Sequence, residues 1–321
     1  MKHLYPLKVS YIAKAPIWSG RRLLDGWGMT TTDAVLGEAW MLTVRKNEMS
    51  VIQNGALCGM RLDDYITNYG SDVVGKNYHL EDGFPLLVKL IDAADRLSVQ
   101  VHPDDDYAAR VENDRGKTEM WYIVEADEGA EIIYGIKDGM SADEFREAVR
   151  GGRLTDTLHH GPVHAGETYF IPSGMLHAIG SGILIAEIQQ NCDLTYRVYD
   201  YERRQADGTL RELHVDKALD VTVPFTEEQV NAIRFAHGRE DAQTLSHCPY
   251  FRTRRFNTAT ERSLTVSDES FAFMLCIGGS GSLTYQGVCY PLNRADGYYL
   301  PAGLGSIQLD GSAELLVASI S

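Results

Sequence analysis

Three stretches of the chain place side chains that can do chemistry on shared faces. In Leu97-Ser98-Val99-Gln100-Val101-His102-Pro103-Asp104, strand alternation sets Ser98, Gln100 and His102 on one face and Leu97, Val99 and Val101 on the other. A polar triplet turned into a dry core is costly. The face is expected to line a wet cavity or hold a metal; the plainer alternative is an edge face in water. In Lys117-Thr118-Glu119-Met120-Trp121, Lys117, Glu119 and Trp121 share a face. Alone, that Lys–Glu spacing describes an ordinary surface pair worth little. In Gly166-x5-Pro172-x-Gly174-x2-His177, the Pro-x-Gly turn reverses the chain and delivers His177 to the start of the next strand. A lone histidine in a turn is more often structural than a ligand. Two histidines and a carboxylate from three separate strands are a donor set suited to Zn²⁺ or a similar first-row ion, and Gln100 could add a neutral oxygen.

The elements that must position these residues read as short strands. Glu131–Ile136, Thr168–Pro172, Ile183–Gln189, Phe271–Ile277 and Ser282–Tyr285 are β-branched or aromatic and bounded by turn residues. Many such strands with frequent turns predict a mainly β fold, a sandwich or barrel. A few helices interrupt them. Ser141 to Glu144 reads as a capping box opening a helix that Gly151-Gly152 ends. Thr226 to Gln229 is a second such box, Pro103–Asn113 starts with three aspartates suited to a helix N-terminus, and Leu213–Val221 is a weaker candidate. Inserted helices are thus expected at about 102–113 and 141–160, with linker helices at about 213–235. Gly166–His177 is echoed by Asp296–Ser306, each a strand, a Pro-x-Gly turn and a further strand. The echo predicts two β-barrels of one kind. His177 aligns with Ser306, so the second barrel is expected to lack metal ligands. The division is drawn at residues 1–235 and 236–321.

The 321 residues are 44% hydrophobic and 23% charged, which is ordinary for a globular protein and excludes extended disorder. The net charge of −15 argues against nucleic-acid and anionic-membrane partners. It leaves room for a phosphorylated small molecule, because a few well-placed cations set the local field. Five scattered cysteines without a CxxC pair indicate reduced thiols. No signal-peptide or membrane-span pattern is evident, so a cytoplasmic location is expected. His159, His160 and His164 read as solvated loop residues, and Trp18, Trp27 and Trp40 as packing.

The spacing Gly-x5-Pro-x-Gly-x2-His matches the second conserved motif of the cupin superfamily. Its first motif usually carries His-x-His with a nearby Glu; here it is Gln100-x-His102 with Glu119 farther on. That departure resembles the type I mannose-6-phosphate isomerases. The matching strings are LSVQVHPD (97–104), KTEMWYI (117–123), IPSGMLHAIG (171–180) and EIQQNCDLTYRVYDY (187–201), with shorter echoes in GEAW (37–40) and FPLLVKLIDA (84–93). The resemblance covers residues 15–205; beyond them the strand pattern carries the fold expectation. The length is similar to the compact bacterial form. The resemblance implies two cupin-type jelly-roll barrels and one Zn²⁺ per chain, held by Gln100, His102, Glu119 and His177. It also implies Arg197 as the active-site arginine, Ser98 and Lys117 lining the phosphosugar site, and Glu187 as a nearby carboxylate. Many members have Pro where Thr118 stands; the change restores a backbone donor and leaves the flanking side chains in place.

The implied reaction interconverts mannose 6-phosphate and fructose 6-phosphate through a cis-enediol. It needs a base, stabilisation of the enediolate oxygens and exclusion of water. Guanidinium stays protonated, so Arg197 is assigned to O1 or O2 rather than to proton abstraction. The base is Glu187 or a metal-bound water, and the residues leave both open. Lys117 and Ser98 would anchor the phosphate. The alternatives are an iron-dependent cupin dioxygenase and a non-catalytic sugar-phosphate-binding cupin. The sequence leaves oligomeric state open.

Overall fold

A computed structural model describes residues 4–79, 83–137, 139–205, 207–235 and 243–321. The strands pair antiparallel throughout and assemble into four sheets. The first is six-stranded, in the order Ile12–Lys14, Glu38–Leu42, Leu86–Ala93, Ile183–Gln190, Glu119–Ala126, Thr168–Ile171. The second is five-stranded: Tyr196–Tyr199, Val99–Val101, His177–Ile179, Glu131–Ile136, Leu158–Pro162. The other two, with six and four strands, are built from residues 244–319 plus one strand from the N-terminus. Among the described residues the sheets are open, and none closes on itself.

The middle of the first sheet explains its stability. Leu86–Ala93 and Ile183–Gln190 are buried along their whole lengths and pair without a break from Leu86↔Gln190 to Ala93↔Ile183. Val88, Leu90 and Ile188 share one apolar core with Phe251, Phe271, Phe273 and Tyr299, so that core joins the N-terminal strands to the C-terminal ones. A further link crosses the expected boundary at 235/236. Leu7–Lys8 pairs with Tyr298 and Tyr299, as an edge strand of a C-terminal sheet.

Both predicted capping boxes form, opening the helices Ala142–Arg150 and Glu227–Arg234. The Asp-rich stretch forms Asp105–Glu112, with the Asp104 carboxylate accepting from the Tyr107 N–H. The weaker candidate forms Val215–Val221. The insertion expected at about 141–160 holds the helix Ala142–Arg150 and the 3-10 turn Leu154–Thr157, and its last residues belong to the edge strand Leu158–Pro162. His159 and His160 therefore lie on an exposed strand rather than a loop. The helix Leu62–Tyr69 carried no sequence signal. The five cysteines are free thiols. Among the described residues no helix is long and apolar enough to cross a membrane.

Candidate active site

Two sheets deliver the chemistry from opposite sides. Val99 and Val101 point into a small apolar core with Tyr196 and Leu219. Alternation then turns Ser98, Gln100 and His102 the other way, and Ser98 and His102 are buried. The polar triplet thus faces inward, and the edge-face alternative fails. Gly174 sits at φ +86°, and a Cβ there would lie 2.9 Å from the Val221 carbonyl oxygen. Glycine alone fits that turn, and its N–H donates to the His102 carbonyl at 2.8 Å. The chain then enters the next strand with His177 opposite Gln100. Glu119 comes from the six-stranded sheet, paired with Ile171 and Gln189.

Each histidine is fixed by a carbonyl, which can only accept, so Nδ1 is the donor. His102 Nδ1 donates to Leu194 O at 2.7 Å and His177 Nδ1 to Met175 O at 2.8 Å. Both Nε2 atoms are left as acceptors, that of His102 with Lys117 Nζ 3.1 Å away. His177 Nε2 lies 3.3 Å from Glu119 Oε1, and His102 Nε2 lies 3.7 Å from Glu119 Oε2. One ligand atom from each of the three lies within 4.8 Å of the others. Gln100 joins them with its amide 3.5 Å from His177 Nε2. Turning that amide over presents its oxygen instead.

The electrostatics ask for a cation. Both Glu119 oxygens are buried without a hydrogen bond. Lys117 Nζ makes an ion pair with Oε2 at 2.9 Å and lies 3.1 Å from His102 Nε2, outside hydrogen-bonding alignment with the carboxylate. Burial pushes the Glu119 carboxyl up to about 7. Burial pushes His177 down to about 4; burial, then the Lys117 ammonium, hold His102 well below the usual imidazole value. Two neutral imidazoles and a buried carboxylate, whose Oε1 has neither a hydrogen bond nor a lysine partner, crowd one point. That donor set fits a divalent metal ion.

Ser98, Gln100, Lys117, Glu187 and Arg197 line one cavity of about 360 Å³. Arg197 stands opposite Gln100 in register, donates from Nε to Ser98 Oγ at 3.3 Å and from Nη1 to Glu212 O at 2.8 Å. Glu187 Oε2 accepts from Trp121 Nε1 at 3.0 Å, and its Oε1 is 3.2 Å from Lys89 Nζ. Burial alone would raise the Glu187 carboxyl, but Lys89 and then Lys117 hold it below the usual carboxylate range. Burial would lower Lys89, and Glu187 overrides it, raising the ammonium.

Sequence reasoning missed Lys89, Arg211 and His214, which line the same cavity. Lys89 had a signal, a lone charge inside the apolar run Leu86–Ile91. Arg211 and His214 lie in a segment without periodicity and had none. Trp18, Trp27 and Trp40 are buried as packing, and Trp18 also reaches the cavity. His160 and His164 pair at the surface with Glu131 and Glu167.

The chain is similar to known proteins over nearly its whole length. Residues 22–146 match the family described as phosphomannose isomerase type I, catalytic domain, and residues 241–320 the mannose-6-phosphate isomerase cupin domain. The mannose-6-phosphate isomerase ManA of Bacillus subtilis is 38% identical over 98% of this chain and 99% of its own. The mannose-6-phosphate isomerase of Streptococcus mutans is 36% identical, covering 94% of each chain. A crystal structure of a Bacillus subtilis mannose 6-phosphate isomerase superposes with a TM-score of 0.86 at 33% identity, over 98% of this chain and 99% of that one. A mannose 6-phosphate isomerase solved in a zinc-bound holo form shares the fold, with a TM-score of 0.78 at 13% identity over 98% and 99% of the two chains.

Proposed function

Since this chain belongs to the type I mannose-6-phosphate isomerase family, we propose that it is a zinc-dependent aldose–ketose isomerase that interconverts mannose 6-phosphate and fructose 6-phosphate. The observation that carries the reading is the meeting of His102, Glu119 and His177 from two sheets, ligand atoms within 4.8 Å, beside a cavity holding Arg197. One Zn²⁺ per chain would be held by these three with Gln100 as a further donor. When bound, the ion supplies positive charge against which the oxygens of an enediolate can develop.

The remaining work falls to this chain's own side chains. Arg197, permanently charged, is proposed to bind O1 or O2 as negative charge builds. Its Nε bond to Ser98 and Nη1 bond to Glu212 O fix the guanidinium before substrate arrives. Glu187 is the candidate base among the side chains, held ionised by Lys89 and aimed by the Trp121 N–H. Ser98, beside Arg197, and Lys117, beside Glu119, are proposed substrate contacts that orient C1 and C2.

The assignment includes two cupin-type jelly-roll units. Residues 1–235 would form the metal-bearing unit and 236–321 a structural one, tied together by Leu7–Lys8. A cytoplasmic location fits the five free thiols. The relatives give no support to the iron dioxygenase or the non-catalytic reading.

A coupled assay for fructose 6-phosphate, run with metal analysis on the same sample, tests the reading. Activity should vanish on chelation and return with Zn²⁺. Arg197→Ala should keep its metal and lose turnover by about a hundredfold or more. Full activity without metal, or unchanged turnover in Arg197→Ala, would refute the corresponding role.

A further inference from the structure

We propose that Arg211, clamped by Asp200, is a phosphate anchor at the end of the cavity remote from the metal triad, receiving the phosphomonoester of the substrate. The assignment rests on the phosphosugar reading above and adds to it a residue outside the strings that suggested it.

The two lysines of the cavity are already committed. Lys89 Nζ lies 3.2 Å from Glu187 and Lys117 Nζ lies 2.9 Å from Glu119, both pairs buried. Among the described residues Arg197 forms no ion pair with a carboxylate; its guanidinium bonds only the neutral oxygens Ser98 Oγ and Glu212 O. Arg211 presents Nε to Asp200 Oδ2 at 2.8 Å and Nη2 to Asp200 Oδ1. That two-point clamp leaves Nη1 uncommitted, on a side chain only 16% exposed. Asp200 is shared with Arg203, whose Nη2 donates to it at 2.6 Å. Arg203 also pairs with Asp95 at 3.2 Å, so the two carboxylates balance the two arginines, and Asp200 orients Arg211 with its Nη1 edge left open. Burial, then the neighbouring Arg211, push the Arg197 guanidinium below its usual value, as two cations facing one space should. Glu38 and Asp193 also line the cavity, yet the guanidinium of Arg197, which has no carboxylate partner among the described residues, and the free Nη1 edge of Arg211 offer an anion two donors in one recess.

Position separates the two arginines. Arg197 stands opposite Gln100, next to the triad. Arg211 is held on Asp200, just past the Tyr199↔Val99 pair, at the opposite end of that ladder from Val101 and His102. His214 pins the segment of Arg211 in place: its N–H donates to Arg197 O at 2.7 Å, and its Nδ1 accepts from Arg197 N at 3.3 Å. The substrate carries its reacting carbons and its phosphate at opposite ends. Arg197 suits the first and Arg211 the second.

The test uses metal-loaded full-length protein with Arg211→Met, Arg211→Lys and Asp200→Asn, each checked for zinc content. Two quantities are read: steady-state constants with mannose 6-phosphate, and binding of inorganic phosphate by calorimetry. Arg211→Met should raise KM by about tenfold or more, change kcat by less than about threefold, and weaken phosphate binding by about tenfold. Arg211→Lys keeps the charge but loses the clamp and should fall between Met and wild type, as should Asp200→Asn. Should Arg211→Met not fold, the lysine and asparagine variants carry the same comparison. Unchanged KM and phosphate affinity would overturn the anchor and make the Asp200 pair merely structural, while leaving the isomerase reading intact. A fall in kcat at constant KM would also overturn it, by placing Arg211 at the reacting carbons. Phosphate binding that depends on Arg211 in a protein without isomerase activity would uphold the anchor and defeat the isomerase reading.

Discussion

The two halves of the molecule contain the same turn and put it to different uses. In the first, Pro172-Ser173-Gly174 joins two strands with Gly174 at φ +86°; in the second, Pro301-Ala302-Gly303 does so with Gly303 at φ +73°. After the first turn the third residue is His177, fully buried against Glu119. After the second it is Ser306, exposed, paired with the exposed Thr265. Its neighbour Ile307 faces inward instead, into an apolar interior of Met274, Leu283, Leu309 and Leu315. The C-terminal strand leaves its turn with the opposite phase. A shared backbone device therefore supplies a wall and a reversal. Chemistry depends on which phase of alternation faces the interior and on whether polar groups from the facing sheet wait there.

The largest effect should come from breaking the polar interior at its centre. Glu119→Ala removes the only carboxylate of the triad and leaves two bare imidazole nitrogens. Zinc retention should be lost, and turnover should fall by about a thousandfold or more. Metal analysis after gel filtration, beside the coupled assay, reads both. A variant that keeps stoichiometric zinc and wild-type turnover would erase the distinction between the halves.

How much of this was legible in the sequence depends on how local each signal is. The capping boxes at Ser141 and Thr226 are satisfied within one turn, so residue types alone revealed them. The helix Leu62–Tyr69 begins at Arg61 with no side-chain cap, and it stayed hidden. Alternation placed Ser98, Gln100 and His102 on one face. The choice between water and cavity needed the facing sheet, because only the arrival of Glu119 and Glu187 makes that face an interior. The pairing of Leu7 with Tyr299 spans nearly the whole chain, and no local pattern encodes it. The clamp of Arg211 by Asp200 is likewise invisible, since it depends on the fold of an irregular segment. Lys89 could have been found. A charge inside a strand buried on both faces demands a partner, and Glu187 sits opposite it in the register.

That pair gives the next test, one of stability. Lys89 and Glu187 are 5% and 3% exposed. Lys89→Met leaves an uncompensated carboxylate beside Trp121 and should cost about 3–5 kcal/mol of unfolding free energy. The double variant Lys89→Met with Glu187→Gln should recover part of that loss, because neither charge of that pair remains. Urea unfolding of the three proteins measures it. A single variant as stable as wild type would mean that the polar interior of the first half costs no more to disturb than a surface.

The smallest effect is the sharpest test of the comparison. Ser306→His spells the second turn like the first, restoring histidine at the position aligned with His177. If the motif itself conferred the site, the variant would gain a second metal. The structure predicts otherwise. Ser306 points to solvent, and its cross-strand neighbour Thr265 is no carboxylate. The inward-facing positions nearby, Leu264 and Ile307, offer no donor. Zinc should stay at one per chain, and stability should move by no more than about 0.5 kcal/mol, as for an ordinary surface change. Metal titration monitored by calorimetry decides it. A second tight site appearing with that one substitution would show that the turn carries the metal chemistry, and that strand phase and the facing sheet do not.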